Sequence, residues 1–101
     1  MKKVILGKLY DTETAEYIGS YQYSKPNDFE YEREVLYKKK TGEYFLYGEG
    51  GPKSKYVKVV GQNEWSGGEK IIPMDVESAK EWAEEHLDGD AYIAAFGDVE
   101  E

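Results

Sequence analysis

The chain has no cysteine, a single histidine and only three prolines in 101 residues. Without Cys there are no disulfides, thiolate zinc sites or thiol nucleophiles, and with His86 alone most imidazole-based metal and acid–base chemistry is excluded too. Neither a metal nor a cofactor is expected. Long apolar runs are also missing. Lys2-Lys3 is followed only by Val4-Ile5-Leu6, far short of a signal-peptide core, and nothing approaches the ~18 apolar residues of a membrane span. The expectation is a soluble, cytoplasmic protein with no membrane partner. A chain this short supports one domain over 1–101, which buries roughly 60–70% of its unfolded surface and leaves little room for a large enzyme cleft.

What the chain does have is charge and tyrosine, both unevenly spread. There are 13 Lys and Arg against 21 Asp and Glu, a formal net charge of −8. Residues 1–60 hold 11 basic and 9 acidic groups, net +2, whereas residues 61–101 hold 2 and 12, net −10. Nine of the ten tyrosines lie between Tyr10 and Tyr56, in segments whose alternation reads as strands. After Pro73 the period becomes helical. Residues 1–72 are therefore predicted to be mainly strands, 75–97 helical and 98–101 an acidic tail.

Leu9-Tyr10 and Glu16-Tyr17 flank Asp11–Ala15, and Leu36-Tyr37 and Glu43-Tyr44 flank Lys38–Gly42 at the same spacing. The two segments match in register at an offset of 27 residues, which predicts two related hairpins. From Phe29 to Lys38, alternation sets Phe29, Tyr31, Arg33, Val35 and Tyr37 on one face and Glu30, Glu32, Glu34, Leu36 and Lys38 on the other, so one face is expected to pack and the carboxylate face to be wet. Glu43–Tyr47 is apolar on both faces and reads as a central strand broken by Gly48–Pro52. Lys55–Val60 and Lys70–Ile72 are further candidates. Gly48–Ser54 ends in Lys-Ser like a phosphate-cradling loop, but a strand pattern follows where a helix N-terminus is required. Gly61–Gly68 reads as a mobile loop carrying Trp65, which either is exposed as a contact or folds back on the sheet.

Asp75 is positioned to cap a helix in which Val76, Ala79, Trp82, Ala83, His86 and Leu87 form one apolar stripe. Glu77, Glu81, Glu84, Glu85 and Asp88 take the other side, balanced locally by Lys80. Like charges at i,i+4 oppose helix stability, and acids near the C-terminus oppose its dipole. A second short helix, Ala91–Phe96, is predicted with Asp90 as cap and Gly97 as stop, its Tyr92, Ile93 and Phe96 closing the core. Asp88-Gly89-Asp90 lacks the in-register ligands of a calcium loop. The fold class that results is α+β: a twisted antiparallel sheet of about five strands, a C-terminal helix packed on one face, and a short final helix.

The whole chain resembles the small acidic proteins carried on phages and integrative elements of Gram-positive bacteria. The resemblance runs through Gly7–Ala15, Glu43–Gly51, and Ile71-Ile72-Pro73 ahead of Ala79–Glu84. Such elements also encode acidic inhibitors of host defence, of the anti-CRISPR and anti-restriction kinds, so the resemblance implies inhibition without supplying any site residue. The expected function is that of a non-enzymatic binder of a basic surface on a nucleic-acid-handling host protein. Glu77, Glu81, Glu84, Glu85 and Asp88 would supply attraction and Trp65 an anchor. Direct nucleic-acid binding is not expected at this net charge, although Lys38–Lys40, Lys53, Lys55 and Lys58 lie among tyrosines. Two alternatives stand beside this reading: an interaction or structural module using the tyrosine-rich sheet, and a hydrolase working through paired carboxylates.

Overall fold

A computed structural model describes residues Met1–Glu101. Eight strands precede two helices: β1 (Lys2–Ile5), β2 (Lys8–Asp11), β3 (Glu16–Tyr23), β4 (Glu32–Lys38), β5 (Tyr44–Gly50), β6 (Lys58–Gly61), β7 (Glu64–Ser66), β8 (Gly68–Met74), α1 (Val76–His86) and α2 (Gly89–Phe96). The class is α+β and the sheets are antiparallel, as the sequence predicts. The strands divide into a four-stranded sheet, ordered β3-β4-β5-β8, and two separate ribbons, β1-β2 and β6-β7.

β5 is central because Tyr44, Phe45 and Leu46 need cover on both faces, and both faces are covered. On one, Leu36, Tyr44 and Leu46 meet Ala79, Trp82 and Ala83 of α1, with Tyr92 and Phe96 of α2 alongside. On the other, Phe45 and Ile71 meet Tyr10 of the N-terminal ribbon, with Ile5, Tyr37 and Tyr47 around them. Phe45, Leu36 and Val35 are at most 1% exposed, each such burial contributing roughly 1.5–3 kcal/mol.

Several sequence expectations are corrected. Only the second hairpin forms: β4 and β5 pair across a turn in which Gly42 takes φ +94°, a value that disfavours any side chain. In the first unit β2 pairs with β1 instead of β3. A two-residue turn, Leu6-Gly7, with φ of +51° and +77°, brings β1 alongside β2. Both values positive mark the turn geometry that suits strand twist. Asp11–Ala15 is thus a passage between sheets.

Phe29–Tyr31 is not strand. The Asp28 carboxylate accepts from Glu30 N at 2.8 Å and from Ser24 Oγ at 2.7 Å, and its carbonyl accepts from Tyr31 N, so these groups close turns before a ladder can begin. β5 runs through Gly48-Glu49-Gly50 without a break and pairs with β8 as far as Gly68. Lys55–Val60 adds no strand to the main sheet; β6 pairs only with β7. The Gly61–Gly68 segment is correspondingly a hairpin arm and not a loop.

Asp75 caps α1 as predicted, accepting from Ser78 N at 2.8 Å. α2 begins two residues earlier than expected and its cap is Asp88, accepting from Ala91 N at 2.8 Å, in place of Asp90. Ile93 is 39% exposed and does not join Tyr92 and Phe96 in the core. Neither helix is long and apolar enough to cross a membrane.

Candidate functional site

Glu77, Glu81, Glu84 and Glu85 all stand exposed on the outer side of α1. None of the first three enters an ion pair, and Glu85 meets only His86, at 3.9 Å. The apolar stripe beneath them is buried at Ala79, Trp82 and Ala83, whereas Val76 is 45% exposed. His86 is stacked on Tyr21 with ring centroids 4.0 Å apart, the place of a packed histidine. Asp88 does not stand with the glutamates as a free carboxylate, since its Oδ1 is held by the α2 cap.

Trp65 is 58% exposed and belongs to the β6-β7 ribbon, where it faces Val59, itself 67% exposed. It takes no part in the aromatic pairs of the core. The structure thus leaves the indole in water and sets it on a different element from the glutamates.

The most enclosed polar group in the molecule is one that strand alternation assigns to solvent. Glu34 is 1% exposed, on the face of β4 that packs beneath α1. Its Oε1 accepts from Trp82 Nε1 at 3.0 Å, and its Oε2 accepts from the Tyr56 hydroxyl and from Lys55 Nζ at 2.8 Å. Tyr56 reaches it because Gly48 lies directly opposite Glu34 on β5, and a Cβ there would sit 2.0 Å from the Tyr56 ring. Burial pushes the Glu34 carboxyl up, but the bonds from Lys55, Tyr56 and Trp82 outweigh it and hold the group below the usual carboxylate range. For Tyr56, burial and the Glu34 carboxylate both act upward, so the phenol keeps its proton. Burial acts downward on Lys55, yet Glu34 and Glu32 prevail and the ammonium is stabilised.

Both Glu34 oxygens are therefore occupied, and the carboxylate joins β4, α1 and the segment entering β6. Such a group fixes the fold: three donors already fill three of its four acceptor positions, one on Oε1 and two on Oε2. The signal available in the sequence is the unbroken apolar run Val35-Leu36-Tyr37, which marks a strand covered twice.

The opposite face carries a second polar set. Glu49 and Glu69 are direct cross-strand neighbours, a like-charge pairing that opposes the sheet. Tyr47 donates to Glu69 Oε2 at 2.7 Å, Tyr31 to Glu49 Oε2 at 3.3 Å, and Arg33 meets Glu49 Oε1 at 3.2 Å. Burial and these two carboxylates keep the Tyr47 phenol protonated. The cleft beside them, about 580 Å³, is bounded by Phe29, Tyr31 and the backbone of Gly50, Gly51 and Gly67.

No three acidic or His side chains converge as a metal site would require. Comparison with family models, with curated proteins and with solved structures finds no match to this chain.

Proposed function

We propose that this is a non-enzymatic acidic binding protein of a mobile element that docks on the basic surface of a nucleic-acid-handling host-defence protein, as an anti-CRISPR or anti-restriction inhibitor does. The observation that carries the reading is the exposed array Glu77, Glu81, Glu84 and Glu85, with Lys80 as the one cation of α1. Four charges over the ~12 Å from residue 77 to 85 amount to about half the linear charge density of duplex DNA. The i,i+4 pairs Glu77/Glu81 and Glu81/Glu85 each cost a few tenths of a kcal/mol, so stability does not account for them.

Attraction of this kind speeds encounter more than it deepens affinity, and a short-range anchor has to accompany it. Trp65 is suited to that part by its 58% exposure and by the large contact area an indole provides. Asp88 adds charge at the end of the array while serving as a cap.

The test is capture from a Gram-positive bacterial lysate on the immobilised protein, with mass spectrometry of what is retained, at about 0.1 M and about 1 M salt, between which the screening length falls from ~10 to ~3 Å. A protein that handles nucleic acid should be retained at low salt, released at high salt, and lost when Glu77, Glu81, Glu84 and Glu85 are changed to Lys. Retention of the same proteins by the reversed variant, or absence of any nucleic-acid-handling protein, overturns the proposal.

A further inference from the structure

The two edges of the four-stranded sheet differ in how they are guarded. β8 carries Glu69 and Lys70 together and Pro73, which has no N–H to donate, three features that discourage strand addition. β3 has none of these between Tyr17 and Ser24, a stretch of eight residues without charge or proline. Its only backbone partner is β4, and no turn or loop backbone group bonds to it. Ser20 and Gln22 are exposed, and Tyr17 and Tyr23 expose more than half their surface. One protective device is present, a bulge between Tyr17 and Gly19, but it leaves Gly19–Tyr23 in regular register.

We infer that β3 is a self-association edge, at which it pairs antiparallel with β3 of a second copy to make one continuous eight-stranded sheet. The charges select this occupant and orientation. Glu16 opens the strand and Lys25 follows its end, and neither is in an ion pair within the chain. Antiparallel alignment sets Glu16 of each copy near Lys25 of the other, whereas parallel alignment sets like against like.

Geometry fixes the register as well. Residues opposite one another across an antiparallel pair share a face, so a two-fold pairing that uses all of Gly19–Tyr23 is centred on Tyr21, with Ser20 opposite Gln22 and Gly19 opposite Tyr23. The extra residue of the bulge then brings Glu16 of one copy to the end of the pairing where the other copy leaves its strand at Ser24, which turns at φ +65° and is followed by Lys25. Each Tyr23 ring falls over a glycine, beside the Leu87 side chain that already lies against Gly19. The interface is isologous and closes at two copies.

The inference does not rest on the proposed function and is tested without any partner. Sedimentation velocity of the full chain over a roughly hundredfold concentration range should show a monomer–dimer equilibrium obeying mass action. Gln22→Lys, which sets an ammonium into both halves of the symmetric contact, should weaken the dimer at least ~tenfold. Glu16→Lys and Lys25→Glu should each weaken it, and the double exchange should restore it. Circular dichroism and melting of the dilute variants report whether the monomer fold is intact; all three positions are exposed. A monomer at every concentration, a dimer indifferent to Gln22→Lys, or a double exchange that fails to restore association overturns the inference.

Discussion

Trp82 of α1 donates its indole N–H to Glu34 of β4 at 3.0 Å, across 48 residues of sequence. With Tyr56 and Lys55 on the other oxygen, this one carboxylate ties helix, sheet and the long connection together. Replacing it by Leu leaves the indole N–H and the phenol O–H buried without an acceptor, each worth ~1–3 kcal/mol. Glu34→Leu should therefore lower unfolding free energy by about 3 kcal/mol in urea titration. Lys55→Met leaves the buried Glu34 carboxylate without its cation and should cost ~1–3 kcal/mol, less than a fully buried pair would, because the Lys55 side chain is 58% exposed and water screens its share.

The same cluster sets the pH range of stability. Glu34 is held below its unfolded value of ~4.3, so its contribution is complete above that pH and is lost as pH falls through the depressed folded value. Glu43, held down to about 2 by Lys8, Lys39 and Thr41, acts in the same direction. Tyr56 and Tyr47 are raised instead. Their contributions are complete below ~10 and disappear as pH climbs through the raised folded values. Urea midpoints should be flat between about pH 6 and about pH 9 and fall on both sides. Glu34→Gln should reduce the acid slope and Tyr56→Phe the alkaline one.

Gly48 faces Glu34 on β5, and the Tyr56 ring occupies the space where its Cβ would be. Gly48→Ala forces that ring away from the carboxylate and should destabilise by about 1–3 kcal/mol. The cause is steric and local, so the substitution should cost much less in a Tyr56→Ala background. A double-mutant cycle in which the two effects simply add would contradict the assignment.

Which parts of this structure are legible in the sequence follows from which interactions are local. The Asp75 cap, the turn at Gly42 and the double-sided β5 depend on neighbours along the chain, and all are readable. Glu34 is misread because period-two alternation reports only that a strand has two faces; which face is buried depends on Trp82 and Tyr56, which are remote. The 9–17 segment copies the local pattern of the true hairpin but loses β2 to β1, whose nearer turn closes a shorter loop. Asp88 and Asp90 flank Gly89 two positions apart and both suit a cap, and pattern defines helix ends only to within one or two residues. Of the candidate site, the exposed glutamates were legible from helical period. The exposure of Trp65 is not legible from local pattern, because it depends on what β6-β7 packs against.

Leu6 takes φ +51° at the tip of the β1-β2 turn and is 98% exposed. It pays the steric cost of the left-handed region, ~1–2 kcal/mol, and recovers no burial. Asn tolerates that conformation and is favoured at this turn position. Leu6→Asn should raise stability by about 1 kcal/mol, read as a Tm increase of about 4–8 °C. An unchanged or lower Tm would show that the left-handed turn position does not strain Leu6.

Asp88 has two possible parts, cap and charge, and they separate by substitution. Asn accepts from the same backbone N–H and is an equally good cap, whereas Ala removes the acceptor at a cost of ~1 kcal/mol. Asp88→Ala should therefore lower stability by that amount and loosen α2, with Tyr92 and Phe96 becoming less protected from solvent. Asp88→Asn should melt like the parent protein while removing one negative charge from the end of the α1 array. If the array attracts a basic partner, the association rate of Asp88→Asn should drop modestly at low salt and match the parent at about 1 M, where screening leaves only contacts within ~3 Å. Equal rates at both salt concentrations, with capping intact, would confine Asp88 to its structural part and remove it from the docking surface.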